Sequence, residues 1–219
     1  MTDAPPDPKP DTGPSSRRPI ASRQTGWARG LASWAVRKGY SPNLISQASV
    51  GFAALGFVFY LLGPELPAVL HGLCLILAAL TIQARLVCNL IDGMVAVEGG
   101  QGAKDGPFWN EAPDRAADLL FFAGAGLAAG NLALGLLAGA LAIATAYLRE
   151  LGRAEGLLPD FSGPFAKQQR MAILTVGTVI AAFSASEWTL TVTLWIIVAG
   201  TAVTILRRSR TLIEKLKAK

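Results

Sequence analysis

The sequence predicts an all-α integral membrane protein: one domain of six transmembrane helices preceded by a juxtamembrane amphipathic helix. Three observations predict it. Apolar residues make up 52% of the 219-residue chain. With Gly counted and Tyr set aside they reach about 61%, where soluble domains hold about 45–50%. Charged residues are 16%, against the usual ~25%. The apolar residues gather into six runs, each long enough to cross a hydrocarbon core of about 30 Å. This composition excludes a disordered chain, a disulfide scaffold and an ordinary soluble enzyme.

The elements follow in order. Residues 1–24, rich in proline and polar side chains, read as a disordered cytoplasmic tail. The tail lacks the apolar core of a signal peptide, so neither cleavage nor export is expected. Residues 25–40 are expected to form the juxtamembrane helix. Trp27, Leu31 and Trp34 recur at i, i+4 and i+7, with Arg29, Arg37 and Lys38 elsewhere on the wheel, which suits a helix lying among headgroups. An ordinary linker is the alternative. Residues 41–208 are expected to form a six-helix transmembrane domain, with segments near 43–62, 67–97, 109–129, 131–152, 166–184 and 188–207. Pro42, Gly63-Pro64, Pro67, Gly106-Pro107, Gly130-Asn131 and Gly163-Pro164 punctuate them. The second segment, of about 31 residues, is roughly 46 Å long and must protrude from the bilayer. Residues 209–219 read as a basic cytoplasmic tail.

Basic residues set the orientation. Lys9, Arg17, Arg18, Arg23, Arg29, Arg37 and Lys38 precede the first segment, and Lys104 lies between the second and third. Arg149, Arg153, Lys167 and Arg170 surround the connection between the fourth and fifth. Arg207, Arg208, Arg210, Lys215, Lys217 and Lys219 follow the sixth, whereas loops 63–66, 130–131 and 185–187 have none. The positive-inside rule then puts both termini in the cytoplasm of an inner-membrane protein. The net charge of +5 is topological, with some attraction to anionic lipid, and does not point to nucleic acid. Cys74 and Cys88 sit in apolar runs and read as buried thiols. His71 is the single histidine, so a His-rich metal site or a His-based triad is not available.

Asp92, Asp114 and Asp118 lie inside apolar segments, where a carboxylate marks a functional site by default. Arg85, Asn89, Asp92 and Ala96 share one face of the second segment, and Asn110, Glu111, Asp114 and Asp118 one face of the third. The short Gly-rich connection makes these segments antiparallel neighbours. Asp92 and Asp114 then lie at matching depths of about 9 Å, with Asn89 and Asp118 deeper. Helix axes roughly 8–10 Å apart let the side chains converge. Converging hard oxygen ligands suit Mg²⁺, Mn²⁺ or Ca²⁺. Pro113 fits if Asn110 caps the third segment. An enzyme, an ion or proton path in a transporter, and a buried polar network with Arg85 neutralising an Asp are all open on these residues alone. No internal repeat of the transporter kind is found.

The motif is similar to that of the CDP-alcohol phosphotransferases, D-x-x-D-G-x-x-A-R, a spacer, then G-x-x-x-D-x-x-x-D. Here the positions are held by Asn89, Asp92, Gly93, Ala96 and Val97, then Asn110, Asp114 and Asp118. Asp92, Gly93, Ala96, Asp114 and Asp118 match, and the spacing is kept. The likeness, which covers about residues 25–208, resembles an atypical bacterial branch with Asn for the first Asp. It implies a six-helix membrane enzyme with a cytoplasmic site. Such an enzyme moves a phosphatidyl group from a CDP-linked lipid, usually CDP-diacylglycerol, to an alcohol, releases CMP and uses Mg²⁺ or Mn²⁺, normally two ions. By the resemblance, Asn89, Asp92, Asp114 and Asp118 stand at metal-ligand positions, with Asp118 also the general base. Gly93, Ala96 and Asn110 stand at nucleotide-binding positions. Members of the family are often homodimers. The alternatives are a catalytically lapsed member that binds lipid or nucleotide, and an ion-coupled transporter.

Three departures bear on the site. Asn89 ligates only through a neutral carbonyl oxygen, which leaves three motif carboxylates to face two divalent ions. Either the ligand is degraded, or the site is rebuilt around an amide with Arg85 and Glu111 adjusting the charge. The second is favoured, because Asn keeps the shape and one oxygen of Asp. Glu111 is either a compensating ligand or a first-turn acid favoured by the helix dipole. Val97 removes a phosphate-binding guanidinium, and Arg85 either replaces it or pairs with Asp118. Arg149 with Arg153, and Lys167 with Arg170, recur at helical spacing toward the cytoplasmic side. Part of this cluster follows from the positive-inside rule, and by the resemblance to family members that use a phosphorylated alcohol it implies a phosphorylated polyol as acceptor.

The topology has a direct check. In a background lacking Cys74 and Cys88, a cysteine at Gly63 is expected to label from outside the cell and one at Lys104 only from the cytoplasm. Labelling at Lys104 from outside overturns the orientation.

Overall fold

The computed structural model describes residues 25–98, 105–184 and 188–219. The tail expected at 1–24, and Lys104 with the rest of 99–104, lie outside the described residues. The chain is all-α. Its helices are α1 (Gly26–Arg37), α2 (Pro42–Leu62), α3 (Ala68–Glu98), α4 (Gly106–Ala128), α5 (Leu132–Ala154), α6 (Lys167–Phe183) and α7 (Trp188–Lys217), with a 3₁₀ turn at Gly63–Glu65. Among the described residues four stretches are long and apolar enough to cross a membrane: Pro42–Glu65, Ala68–Val97, Leu132–Ala154 and Trp188–Lys217. α4 and α6 stand where the third and fifth segments are expected. By length and apolarity they fall short, because α4 carries Glu111, Asp114, Arg115 and Asp118, and α6 has only 17 residues and begins at Lys167.

Local chemistry sets most of the boundaries. Gly39, at φ +74°, ends α1 in the left-handed conformation that glycine adopts without strain. Ser41 caps α2 by accepting from the Leu44 N–H at 3.2 Å, with Pro42 in the first turn. Asn131 caps α5 in the same way through Leu134 at 3.0 Å.

Two expected boundaries move. α4 begins at Gly106 with Pro107 in its first turn, so Asn110 is not its cap. Pro113 therefore sits inside the helix, buried, where its missing N–H leaves the Trp109 carbonyl without its usual donor. At the other end, residues 209–217 are not a tail but the continuation of α7. They are held down by Leu212, which packs beside Gly152 of α5, and the terminal Lys219 donates to the Glu155 carbonyl at 2.6 Å.

α2 packs most extensively on α3 and α4, α4 on α5, α5 on α7, and α3 on α6. The core they enclose includes Tyr60, Leu75, Ile82, Phe121, Met171 and Leu194. The Tyr60 hydroxyl meets the Thr178 hydroxyl at 2.5 Å, which joins α2 to α6 through the core. α1 buries Ala28, Ala32 and Ala35 against Leu90, Ile91, Met94 and Val95 of α3. Trp27, Leu31 and Trp34 remain on its exposed side. Cys74 and Cys88 are free thiols, half-buried rather than fully buried.

Small residues set how closely α4 and α5 approach. A Cβ at Gly126 would lie 2.8 Å from the Gly135 Cα, the close backbone contact that small residues permit between membrane helices. Gly135→Leu should therefore force the pair apart and cost about 1–3 kcal/mol. The readout is a lower melting temperature in detergent, and an unchanged melt would show that the contact is dispensable.

Candidate active site

α3 and α4 run antiparallel and are bonded side chain to side chain. Asn89 Nδ2 donates to Asp114 Oδ1. One turn deeper, Arg85 Nη2 donates to Asp118 Oδ1 at 2.6 Å, to Asp114 Oδ1 at 3.3 Å and to the Asp114 carbonyl at 3.1 Å. Asp118 meets a second guanidinium on its other side, with Arg170 Nη2 3.7 Å from Oδ2. Arg85, Asp118 and Arg170 are all at most 2% exposed. Arg170 also donates to the Phe165 carbonyl at 2.8 Å and to Thr145 Oγ1 at 3.2 Å, which fixes it between α5 and the start of α6. Arg85 Nε and Nη1, Asp118 Oδ2 and Arg170 Nε are buried without a hydrogen-bond partner.

Above this layer opens a cavity of about 730 Å³, within the usual range for small-molecule sites. Asn89, Asp92, Gly93 and Ala96 line it from α3, and Asn110, Glu111, Asp114 and Arg115 from α4. Arg149 and Arg153 of α5, Lys167 and Arg170 of α6, and Arg208 of α7 form the opposite wall. The first wall thus carries carboxylates, amides, small residues and one cation, Arg115, and the other carries five cations and one carboxylate, Glu150.

Each carboxylate is held differently. Asp92 Oδ2 accepts from Ser46 Oγ at 2.7 Å, and its Oδ1 from the Gly93 N–H at 2.5 Å. Among the described residues it has no Lys or Arg partner. Asp114 Oδ2 meets Lys167 Nζ at 2.5 Å and Arg115 at 3.6 Å. Glu111 reaches across to Arg149 at 2.5 Å and back to Arg115 at 3.2 Å, so its carboxylate is spent on cations rather than turned toward Asp92.

Most of the residues singled out in the sequence therefore gather at one cavity, with two corrections. Asp118 does not line the cavity, because Arg85 and Arg170 hold it beneath the wall. Arg85 does not line it either. The pairing with Asp118, one of its two readings, is present.

Sequence reasoning also missed residues. Ser46 orients Asp92. Arg208 donates to the Ser162 carbonyl at 2.8 Å and the Thr145 carbonyl at 2.9 Å, which fastens the 155–166 loop over the site. Phe161 in that loop lies 5.7 Å from the Arg149 guanidinium carbon, a cation–π contact. Ser46 lies within an apolar run, and Arg208 within a basic cluster that topology alone explains, so neither carries a signal of its own. Burial in this loop pushes the Asp160 carboxyl up, but the Ser162 N–H and hydroxyl and the charges of Arg208 and Lys215 outweigh it. Asp160 is held below the usual carboxylate range.

Among the described residues no three His, Cys, Asp or Glu side chains draw together tightly enough to hold a metal ion by themselves. The donor chemistry at the cavity wall nevertheless fits a hard divalent cation. Asp92 has oxygens free of any ion pair, Asp114 is its neighbour across the helices, and Asn89 keeps its amide oxygen available while its nitrogen donates to Asp114. Such a set is completed by oxygens from a bound substrate.

No family model matches the chain. It is 26% identical over 194 residues to a phosphatidylinositol phosphate synthase of Mycolicibacterium smegmatis, covering 83% of this chain and 81% of the relative. Its fold is that of the Mycobacterium tuberculosis phosphatidylinositol phosphate synthase. One crystal structure of that protein, with manganese and citrate, gives a TM-score of 0.71 at 19% identity and covers 84% of this chain and 88% of the other. Another, with CDP-DAG bound, gives 0.68 at 20% identity and covers 84% and 92%.

The buried charge layer has a stability signature. Arg85→Met leaves the Asp118 carboxylate only the 3.7 Å contact to Arg170 and should cost about 3–5 kcal/mol. Arg85→Met with Asp118→Asn should cost less than the sum of the two single changes, because the pair is lost once rather than twice. Thermal melts of both single variants and the double variant in detergent check this, and additive losses would mean that the pair is not coupled.

Proposed function

We propose that this chain is a CDP-alcohol phosphotransferase, like the relative it is similar to, and moves a phosphatidyl group from a CDP-linked lipid to an alcohol and releases CMP. The observation that carries the reading is the two-sided cavity, with Asn89, Asp92 and Asp114 facing Arg149, Arg153, Lys167 and Arg170. A pyrophosphate-bridged donor needs cations around it, and its nucleotide needs a helix face without bulk. Gly93 and Ala96 supply that face, with Asn110 at its edge. The names of the relatives support CDP-diacylglycerol as donor and a phosphorylated polyol as acceptor.

In the transfer, the acceptor hydroxyl oxygen attacks the phosphorus that bears the diacylglycerol, and the bond from that phosphorus to CMP breaks. A bound Mg²⁺ or Mn²⁺ would neutralise the bridging phosphates and ease departure of CMP. Asp92, Asp114 and Asn89 are the residues to hold it. Arg149, Arg153 and Lys167 bind and orient the acceptor phosphate. Asp118, whose Oδ2 has no hydrogen-bond partner, takes the hydroxyl proton directly, which requires Arg170 to turn aside and open the wall above it to the acceptor. The finer architecture belongs to the same reading. α2 to α7 make six spans, α4 and α6 are polar spans shielded by their neighbours, and both termini and the cavity face the cytoplasm.

The test incubates purified protein in detergent with CDP-diacylglycerol, Mg²⁺ or Mn²⁺ and a panel of alcohols, with lipid mass spectrometry as the readout. A phosphorylated polyol is expected to give the main product. Arg153→Ala should raise the acceptor KM about tenfold, the scale of one charge-assisted contact. Asp118→Asn, checked for folding by its elution profile, should abolish CMP release. Activity within tenfold of wild type rejects Asp118 as base. No product from any alcohol while CDP-diacylglycerol still binds favours a lapsed enzyme.

A further inference from the structure

We infer that Arg85 is a resident cation standing in for one of two divalent ions, so that this site takes a single metal ion per chain. The inference rests on the proposed transferase reading and concerns how its charge is balanced.

Two metal ions side by side need carboxylates free to bridge them, about 3.5–4 Å apart. The geometry here leaves too few. Asp118 Oδ1 is taken by Arg85 at 2.6 Å, and its Oδ2 faces Arg170. Asp114 shares one oxygen with Arg85 and Asn89 and gives the other to Lys167. Arg85 Nη2 thus lies between two carboxylates one helical turn apart on α4, where a cation is required and a guanidinium supplies it. Only Asp92, among the three, has no cationic partner in the described residues.

The ion pairs give the same answer. Asp118 meets Arg85 and Arg170, and Asp114 meets Lys167 and Arg115, so Asp92 alone among the three keeps both oxygens out of any ion pair in the described residues. A second divalent ion beside the first would add charge with no carboxylate free to meet it, and uncompensated charge out of water is costly. Asn89 belongs to the same adjustment. A fourth carboxylate there would add a charge with no second ion to meet it, whereas the amide donates to Asp114 and still offers an oxygen. The unpartnered Arg85 Nε and Nη1, buried on a fully enclosed side chain, mark a guanidinium held for its charge rather than for a full set of hydrogen bonds.

The test counts manganese on the full chain in detergent by equilibrium dialysis with Mn²⁺, with and without CDP-diacylglycerol, and records the electron paramagnetic resonance spectrum of the bound ion. Wild type is expected to hold one Mn²⁺ with the spectrum of an isolated ion. Arg85→Lys, which keeps the charge, should stay at one. Arg85→Met combined with Asn89→Asp should rise to two, with the spectrum of a coupled pair. Two coupled ions in wild type overturn the inference and leave the transferase reading intact. A double variant that folds yet stays at one ion overturns the role of Arg85. No bound Mn²⁺ and no manganese-dependent CMP release removes both readings. If the double variant fails to fold, the wild-type count and spectrum still decide.

Discussion

The structure depends on one buried charge layer, in which the Asp118 carboxylate lies between the guanidiniums of Arg85 and Arg170. Three helices meet there: α3 brings Arg85, α4 Asp118 and α6 Arg170. Charges so far from water are tolerated only in pairs, so each of these helices is held in register by the other two. The cavity floor is built on that register. Asn89 and Asp114 are one turn above Arg85 and Asp118, and their bond across the helices follows from the deeper one. Packing adds closeness rather than register: the core side chains and the glycines of α4 and α5 bring backbones together without specifying which turn faces which.

Around this floor, polarity is divided by element. α3 and α4 contribute most of the carboxylates, two amides and residues with little or no side chain, and the far helices contribute most of the cations. The long α7 reaches past the cavity and uses Arg208 to fix the loop that follows α5. Phe165, at the end of that loop, is tied to α7 as well, its N–H donating to Thr204 Oγ1 at 3.0 Å. The cationic wall is therefore a framework of helix ends, each braced by another element, rather than a set of free side chains.

Much of this was legible in the sequence, for identifiable reasons. Helix starts at Pro42 and after Asn131 carry their own capping chemistry, so local rules sufficed. The facing of Asn89 and Asp92 toward Asp114 follows from helical spacing and a short connection. What spacing does not contain is competition among partners. Asp118 and Asp114 share a face, yet one is on the cavity wall and the other beneath it, because a cation on a neighbouring helix took the deeper one. The start of α4 was misplaced because two prolines, Pro107 and Pro113, each suit a first turn, and only the tertiary fit selects between them. The end of α7 was misplaced because a basic run looks like a tail until Leu212 is seen to pack on α5. Ser46 was invisible because a serine in an apolar run has no pattern.

Trp27 belongs both to the exposed aromatic side of α1 and to the rim of the cavity. A helix suited to the headgroup layer thus forms part of the doorway to the reaction chamber. For a two-tailed donor the consequence is logistical. Each methylene drawn into water costs about 0.8 kcal/mol, so lifting two long acyl tails out of the bilayer would cost more than a typical catalytic barrier allows. On the proposed reading, a threshold at headgroup height would remove that journey. The donor would slide in sideways with its tails still dissolved, and only its polar head would change surroundings. Encounter is then a search over a surface rather than through a volume, governed by how much donor the membrane holds and not by its vanishing concentration in water.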